Sequence, residues 1–152
     1  MSRLKKILLA IFIGFVAIQF VQPARNTNGQ VLATDITTVV SVPDSVHTIL
    51  KEACYDCHSN NTNYPFYAYI QPIGWLLNKH IQDGKSQLNF SDFGSLSKRR
   101  QESKLKSIAN QIKDEAMPLP AYTILHKNAI LAKAEKDLII SWANTAKDSL
   151  SQ

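Results

Sequence analysis

The sequence predicts an all-α fold: a domain of four to five helices joined by long loops, preceded by an N-terminal transmembrane or signal helix. Three observations predict it. The run "ILLAIFIGFVAIQFV", residues 7–21, has Gln19 as its only polar side chain and follows the basic start "MSRLKK". From residue 44 onward, apolar residues recur at three- and four-residue steps, the helical period. No segment shows the alternation expected of a paired strand. A chain of 152 residues with 45% apolar content is the size of one ordinary domain and can bury a core.

Residues 1–25 have the form of an export signal or membrane anchor. Fifteen apolar residues are short for a full span and typical of a cleaved signal, yet Gln22, Pro23 and Arg25 follow where an A-x-A site would stand. A retained signal-anchor is therefore preferred. Arg3, Lys5 and Lys6 would stay cytoplasmic by the positive-inside rule, and everything beyond residue 25 would lie outside the inner membrane. The expected location is an inner membrane-anchored domain facing the periplasm, or a periplasmic domain if the signal is cleaved. Residues 26–43, which carry Asn, Thr and Gly before a β-branched patch, read as a tether with a short extended piece at Ile36–Val42.

The folded domain is expected over residues 44–148. Asp44 or Ser45 can cap a helix in which Val46, Ile49, Leu50, Ala53 and Cys57 share a face. The polar run "SNNTN" stops it. Pro65 suits a first helical position, and the helix that follows should break at Pro72 and terminate at Gly84. Lys98–Ala116 places Leu105, Ile108, Ala109, Ile112 and Ala116 on one stripe, and "MPLP" forbids its continuation. A last helix over 133–147 turns Leu138, Ile139, Trp142, Ala143 and Ala146 inward.

The formal charge is +5, but Arg3, Lys5, Lys6 and Arg25 flank the apolar run, so the domain is close to neutral. The basic cluster Lys98, Arg99, Arg100, Lys104 and Lys106 has no interleaved aromatics and reads as a solvated helix face. No nucleic-acid partner is expected.

The chemistry concentrates in "CYDCH". Cys54 and Cys57 are the chain's only cysteines, and His58 follows directly. Three chemistries fit. A redox dithiol normally sits at a helix N-terminus, where the dipole stabilises thiolate, and this motif ends a helix. A zinc site needs two further ligands, but His47, His80 and His126 are scattered singly. The third is covalent haem attachment: two thiols three apart form thioethers with the vinyl groups on one porphyrin edge, and the adjacent imidazole becomes the proximal iron ligand. Export favours this third chemistry, as does the confinement of both cysteines to the motif. For the sixth iron position, Met117 is the only methionine besides the initiator and precedes Pro118. Its thioether would favour ferrous iron and raise the potential. The alternatives are a core role for Met117, with His80 or His126 as ligand.

The run "CYDCHSNNTNYPFYAYIQPIGWLLNKHIQDGKSQLNFSDF" with "EAMPLPAYTILH" closely resembles the bacterial haem-binding domain family of small membrane-anchored c-type cytochromes. The shared features beyond C-x-x-C-H are "HSN-x-T-x-YP", the segment Trp75–His80 and "MPL-x-x-Y", and the resemblance covers residues 44–147. It implies a cytochrome c-like helical domain around one covalently bound haem c. Cys54 and Cys57 would be the attachments, His58 and Met117 the axial ligands, and Tyr64, Pro65, Trp75 and Trp142 the porphyrin walls. One departure is visible: "LAKAE" has Ala132 where the family carries Ser or Thr in a capping box with Glu135, so half of that box is missing.

The expected function is one-electron transfer without substrate turnover. The rival is a haem-based sensor or peroxidase-like enzyme with a labile sixth ligand; a second rival is an interaction module without haem. A redox partner protein is implied, and the near-neutral domain carries no charge pattern that selects one.

Overall fold

The computed structural model describes residues 2–151. Eight α-helices run in order: α1 (Arg3–Ile18), α2 (Ile36–Val39), α3 (Asp44–Ala53), α4 (Tyr55–His58), α5 (Ile73–Gln87), α6 (Lys98–Lys113), α7 (Pro120–Thr123) and α8 (Lys133–Leu150). Turns of 3-10 helix occupy Phe66–Tyr69, Phe90–Ser95 and Lys127–Ala129. Among the described residues there is no strand, only an isolated antiparallel bridge between Thr27 and Asn61. The domain is thus all-helical, with α3, α5, α6 and α8 as its four long helices.

The main core forms where α6 packs on α8 and both meet α3. Leu105, Ile108, Ala109 and Ile112 of α6 face Ile139, Trp142, Ala143 and Ala146 of α8, with Val46 and Leu50 of α3 and with Phe90 and Phe93 closing the layer. The 3.6-residue period of these apolar positions is what makes each segment a helix with one buried stripe. A second, smaller core joins Ala68, Leu77 and Ile81, with Cys57, Tyr64 and Tyr67 half-buried against it. Cys54 packs on the first core and Cys57 on the second, so the cysteine motif is the seam between them.

Several local expectations change. Gly84 does not terminate a helix, because α5 continues through it to Gln87. A Cβ at Gly84 would come within 2.6 Å of the Cys57 carbonyl oxygen, so this glycine serves close backbone approach rather than helix termination. Pro65 stands before its helical turn, and Pro72 separates that turn from α5. The extended piece expected at Ile36–Val42 is instead a helical turn, capped by the Asp35 carboxylate, which accepts from Thr37 N–H at 3.0 Å. Ile36 and Val40 are buried in the main core, so the folded part begins before Asp44.

α6 ends in a Schellman arrangement. Glu115 adopts φ 55°, Ala116 N–H donates to the Gln111 carbonyl at 3.0 Å, and Glu115 N–H donates to that of Ile112 at 3.2 Å. The reversal sends Met117 back toward α3 and α4. At α8 only the Glu135 half of the capping box is formed, its carboxylate accepting from Ala132 N–H at 2.7 Å.

The N-terminal helix forms over 16 residues, with no buried residue. At 1.5 Å per residue it is about 24 Å long, against a hydrocarbon core of about 30 Å. No described helix is long and apolar enough to cross a membrane. The segment that follows is no loose tether: Asn26 N–H donates to Tyr64 Oη at 2.9 Å, and its side-chain amide donates to Ser59 O and Thr62 Oγ1, both at 2.9 Å.

Candidate cofactor site

The site is built at the break between α3 and α4. Cys54 leaves helical geometry at φ −129°, ψ −38°, and the chain re-enters a single turn in which Cys57 N–H and His58 N–H both donate to the Cys54 carbonyl. This turn holds both thiols and the imidazole together. The two residues between the cysteines are tied elsewhere. Tyr55 stacks on Phe90 with ring centroids 4.9 Å apart, and Asp56 accepts from Tyr122 Oη at 2.7 Å and from Asn63 N–H at 2.9 Å.

Both thiols are free. Burial, with the neighbouring Cys57, pushes the Cys54 pKa up to about 12; burial, with Asp56, pushes Cys57 to about 11. Both therefore stay protonated at neutral pH, the opposite of the lowered pKa that a redox dithiol requires. Among the described residues no cluster of three or more His, Cys, Asp or Glu side chains could hold a metal ion by itself. A tetrahedral zinc site consequently lacks its ligands.

His58 Nδ1 lies 3.0 Å from the carbonyl oxygen of Leu88. A carbonyl only accepts, so Nδ1 carries the proton and Nε2 keeps its lone pair. Burial lowers the His58 pKa below the ordinary imidazole value, opposed by the backbone carbonyls of Leu88 and Gly84, and the ring is neutral at pH 7. A carbonyl on the far ring nitrogen orients the imidazole as it does in metal-ligating histidines.

Two adjoining hollows, of about 240 and 380 Å³, open on either side of this turn and share Cys54, His58, Gln87 and Met117 in their walls. The first continues between Leu50, Phe90, Lys104, Ile108 and Ile112, and the second between Cys57, His80, Gly84, Leu119 and Tyr122. Their linings are mainly apolar, and together they have the size of cofactor sites, roughly 300–1,000 Å³. Residues 13–145 match the haem-binding domain family.

The chain belongs to the haem-binding domain family. No curated protein and no solved structure matches it. The cleft fits a haem on its own chemistry: an apolar slot, a neutral imidazole with a free Nε2, and two protonated thiols in its walls. It also lies between the two apolar cores, where a large flat apolar group would complete the packing.

Of the residues singled out in the sequence, the structure brings Cys54, Cys57, His58 and Met117 to this cleft of the haem-binding domain, with His80 on one wall. It places four others elsewhere. Trp142 is buried between α6 and α8 and donates from Nε1 to Ser41 O at 3.0 Å. Trp75 donates from Nε1 to Val21 O at 2.8 Å, and Tyr64 Oη is held by Asn26. Pro65 borders a separate hollow with Asp56, Tyr122 and His126. These aromatics serve the core and the N-terminal strap, which lack a sequence period of their own. His126 is bound by Tyr122, stacking on its ring at 4.0 Å and contacting its carbonyl at 3.1 Å, and is absent from both hollows. The sequence reading missed Gln87, Leu88, Lys104, Gln111 and Tyr122. The one signal that could have found any of them is the "MPL-x-x-Y" spacing, which ends on Tyr122.

Proposed function

We propose that this haem-binding protein is a mono-haem c-type cytochrome that carries single electrons outside the inner membrane, with α1 as its membrane anchor. The observation that carries the reading is the convergence of Cys54, Cys57, His58 and Met117 on one apolar cleft. Each thiol would add its S–H bond across one vinyl group, forming a thioether with no change in electron count. Burial keeps both sulfurs protonated, the form that this addition consumes.

Leu88 fixes the His58 ring, so His58 would hold the iron through Nε2, and Met117, from the loop after α6, would hold it from the wall it shares with His58. When bound, haem supplies the one-electron couple. The chain's side chains hold it, exclude water and set its potential, to which a methionine thioether gives an upward bias. If Met117 and His58 held the iron between them, no position would be left for peroxide or a small gas, and on that ground we favour a carrier over the sensor or peroxidase-like alternative. His80 supports a second reading, bis-histidine ligation at lower potential, because it also borders the cleft.

The test is the full chain produced with a cytochrome c maturation system and examined as its pyridine haemochrome. The expected result is a red protein that keeps its haem through acid-acetone extraction and shows the spectrum of two thioethers. Extractable haem overturns covalent attachment; colourless protein overturns haem c altogether.

A further inference from the structure

Residues 19–28 form a strap fastened to the domain. Gln19 follows the last residue of α1 and binds both backbone groups of Gln71, accepting from its N–H at 2.9 Å and donating to its carbonyl at 3.2 Å. The fully buried Gln71 side chain donates to Gln22 Oε1 at 3.0 Å and accepts from Trp75 N–H at 2.9 Å. Gln22 donates to Tyr69 O at 3.1 Å, and Arg25 lies over the rings of Tyr64 and Tyr69 while donating to Ala68 O. Further on, Lys85 holds Asn26 Oδ1 at 2.7 Å, and Asn28 N–H donates to Asn60 O at 2.8 Å. The C-terminal end of α1 is therefore fixed beside the turn Phe66–Tyr69 and the start of α5.

That region is apolar and exposed. Phe66 is 80% exposed, Leu76 55%, and Tyr69, Ile70 and Ile73 between 42% and 57%, with Phe20 at the root of α1 reaching 83%. Single exposed apolar side chains are ordinary, but here they recur at i, i+3 on two successive elements, Phe66 with Tyr69 and Ile73 with Leu76, and such a concentration marks a contact surface. Residues 3–17 of α1 are exposed as well.

We infer that the face formed by Phe66, Tyr69, Ile70, Ile73 and Leu76 seats on the lipid bilayer that receives α1, and that the strap holds the haem domain in one orientation on it. The inference rests on the proposed reading of α1 as a membrane anchor. Its own support is continuity: Gln19 and Val21 join the helix to this face without a free linker, so the boundary of the phase that takes α1 falls at the face. The residues at that boundary have interfacial chemistry. Trp75 and Tyr69, both partly exposed, combine an apolar ring with a polar tip. A tether of ten loose residues would let the domain swing, whereas this strap has no slack.

The experiment uses the full haem-loaded chain in vesicles of phosphatidylethanolamine and phosphatidylglycerol. Nitroxide labels are carried on an encoded ketone residue at position 66, 73 or 76, so that Cys54 and Cys57 are untouched, with a reference label at exposed Asn144 in α8. Flotation reports membrane binding, and power saturation compares relaxation by oxygen with relaxation by a nickel chelate. The expected result is flotation, with a several-fold higher oxygen-to-nickel ratio at 66, 73 and 76 than at 144. Flotation with equal ratios overturns the seating and leaves the anchor standing. Labels shielded from both reagents mean that protein covers the face, which overturns the lipid assignment. A chain that fails to float overturns the anchor reading, and the seating with it.

Discussion

Gly84 in α5 packs against the backbone of Cys57 so closely that a Cβ added there would stand 2.6 Å from the Cys57 carbonyl oxygen. Real Cβ atoms do not approach that near, and the obstacle is backbone, which cannot swing aside. The contact sets the distance between α5 and the turn that carries both thiols and His58, so a glycine in the last turn of α5 determines how closely that helix borders the cofactor cleft.

Gly84→Ala is therefore expected to destabilise the fold by about 1–3 kcal/mol, the usual cost of overpacking, despite the better helix propensity of alanine. It should also lower the yield of haem-loaded protein. Gly29→Ala is the matched control, since nothing lies within 4 Å of a Cβ there. Denaturant midpoints of the two variants check the prediction, and equal midpoints would show that the two elements separate without cost.

Met117 and His80 both border the cleft, and their replacement separates the two ligand assignments. Met117→Ala is expected to abolish the weak long-wavelength charge-transfer band of sulfur-ligated ferric haem, lower the potential and open the iron to carbon monoxide. His80→Ala should leave all three unchanged. The reverse pattern, read by optical spectroscopy and redox titration, would assign the sixth position to His80.

The parts of the molecule that follow from local chemistry were legible in the sequence. α3, α6 and α8 announce themselves by apolar residues at helical spacing, and Pro118 with Pro120 marks the end of α6. Cys54, Cys57, His58 and Met117 stand out because few side chains can bond a porphyrin or its iron. What depends on contacts distant in sequence was not legible. Ile36 and Val40 look like part of a tether until Phe90 and Phe93 are brought over them. Gly84 looks like a stop signal until Cys57 lies against it. Trp75, Tyr64 and Trp142 look like cofactor walls because their rings suit that role equally well, and only the fold shows them bound to Val21, Asn26 and Ser41.

Gln71 is buried with both its side chain and its backbone engaged by the strap, so Gln71→Leu removes the Gln22 and Trp75 partners together. Leaving those groups unsatisfied is expected to cost about 1–3 kcal/mol. The sharper readout is local. In the native chain Arg25 is covered by Tyr64 and Tyr69, and trypsin should cut there slowly; in the variant the bond after Arg25 should become the earliest site of cleavage. Mass spectrometry of the first fragments decides it, and an unchanged cleavage order would mean that Asn26 and Asn28 hold the strap without Gln71.

The Tyr122 hydroxyl donates to the Asp56 carboxylate at 2.7 Å, which anchors the loop after Met117 to the residue beside Cys57. Burial raises the Tyr122 pKa above its ordinary value, and the hydrogen bond and negative charge of Asp56 raise it further. A phenol whose folded pKa is raised contributes stability that is complete below about pH 10, the unfolded value, and is lost as pH rises toward the folded value. At pH 7 Tyr122→Phe should lose a charge-assisted bond at a half-exposed site, at a cost of about 1 kcal/mol. Above pH 10 the unfolded native chain gains an ionised Tyr122 that the variant lacks, so the stability difference should shrink. Chemical denaturation at pH 7 and pH 11 measures both values, and a difference that is the same at the two pH values would show that Asp56 does not hold the phenol protonated.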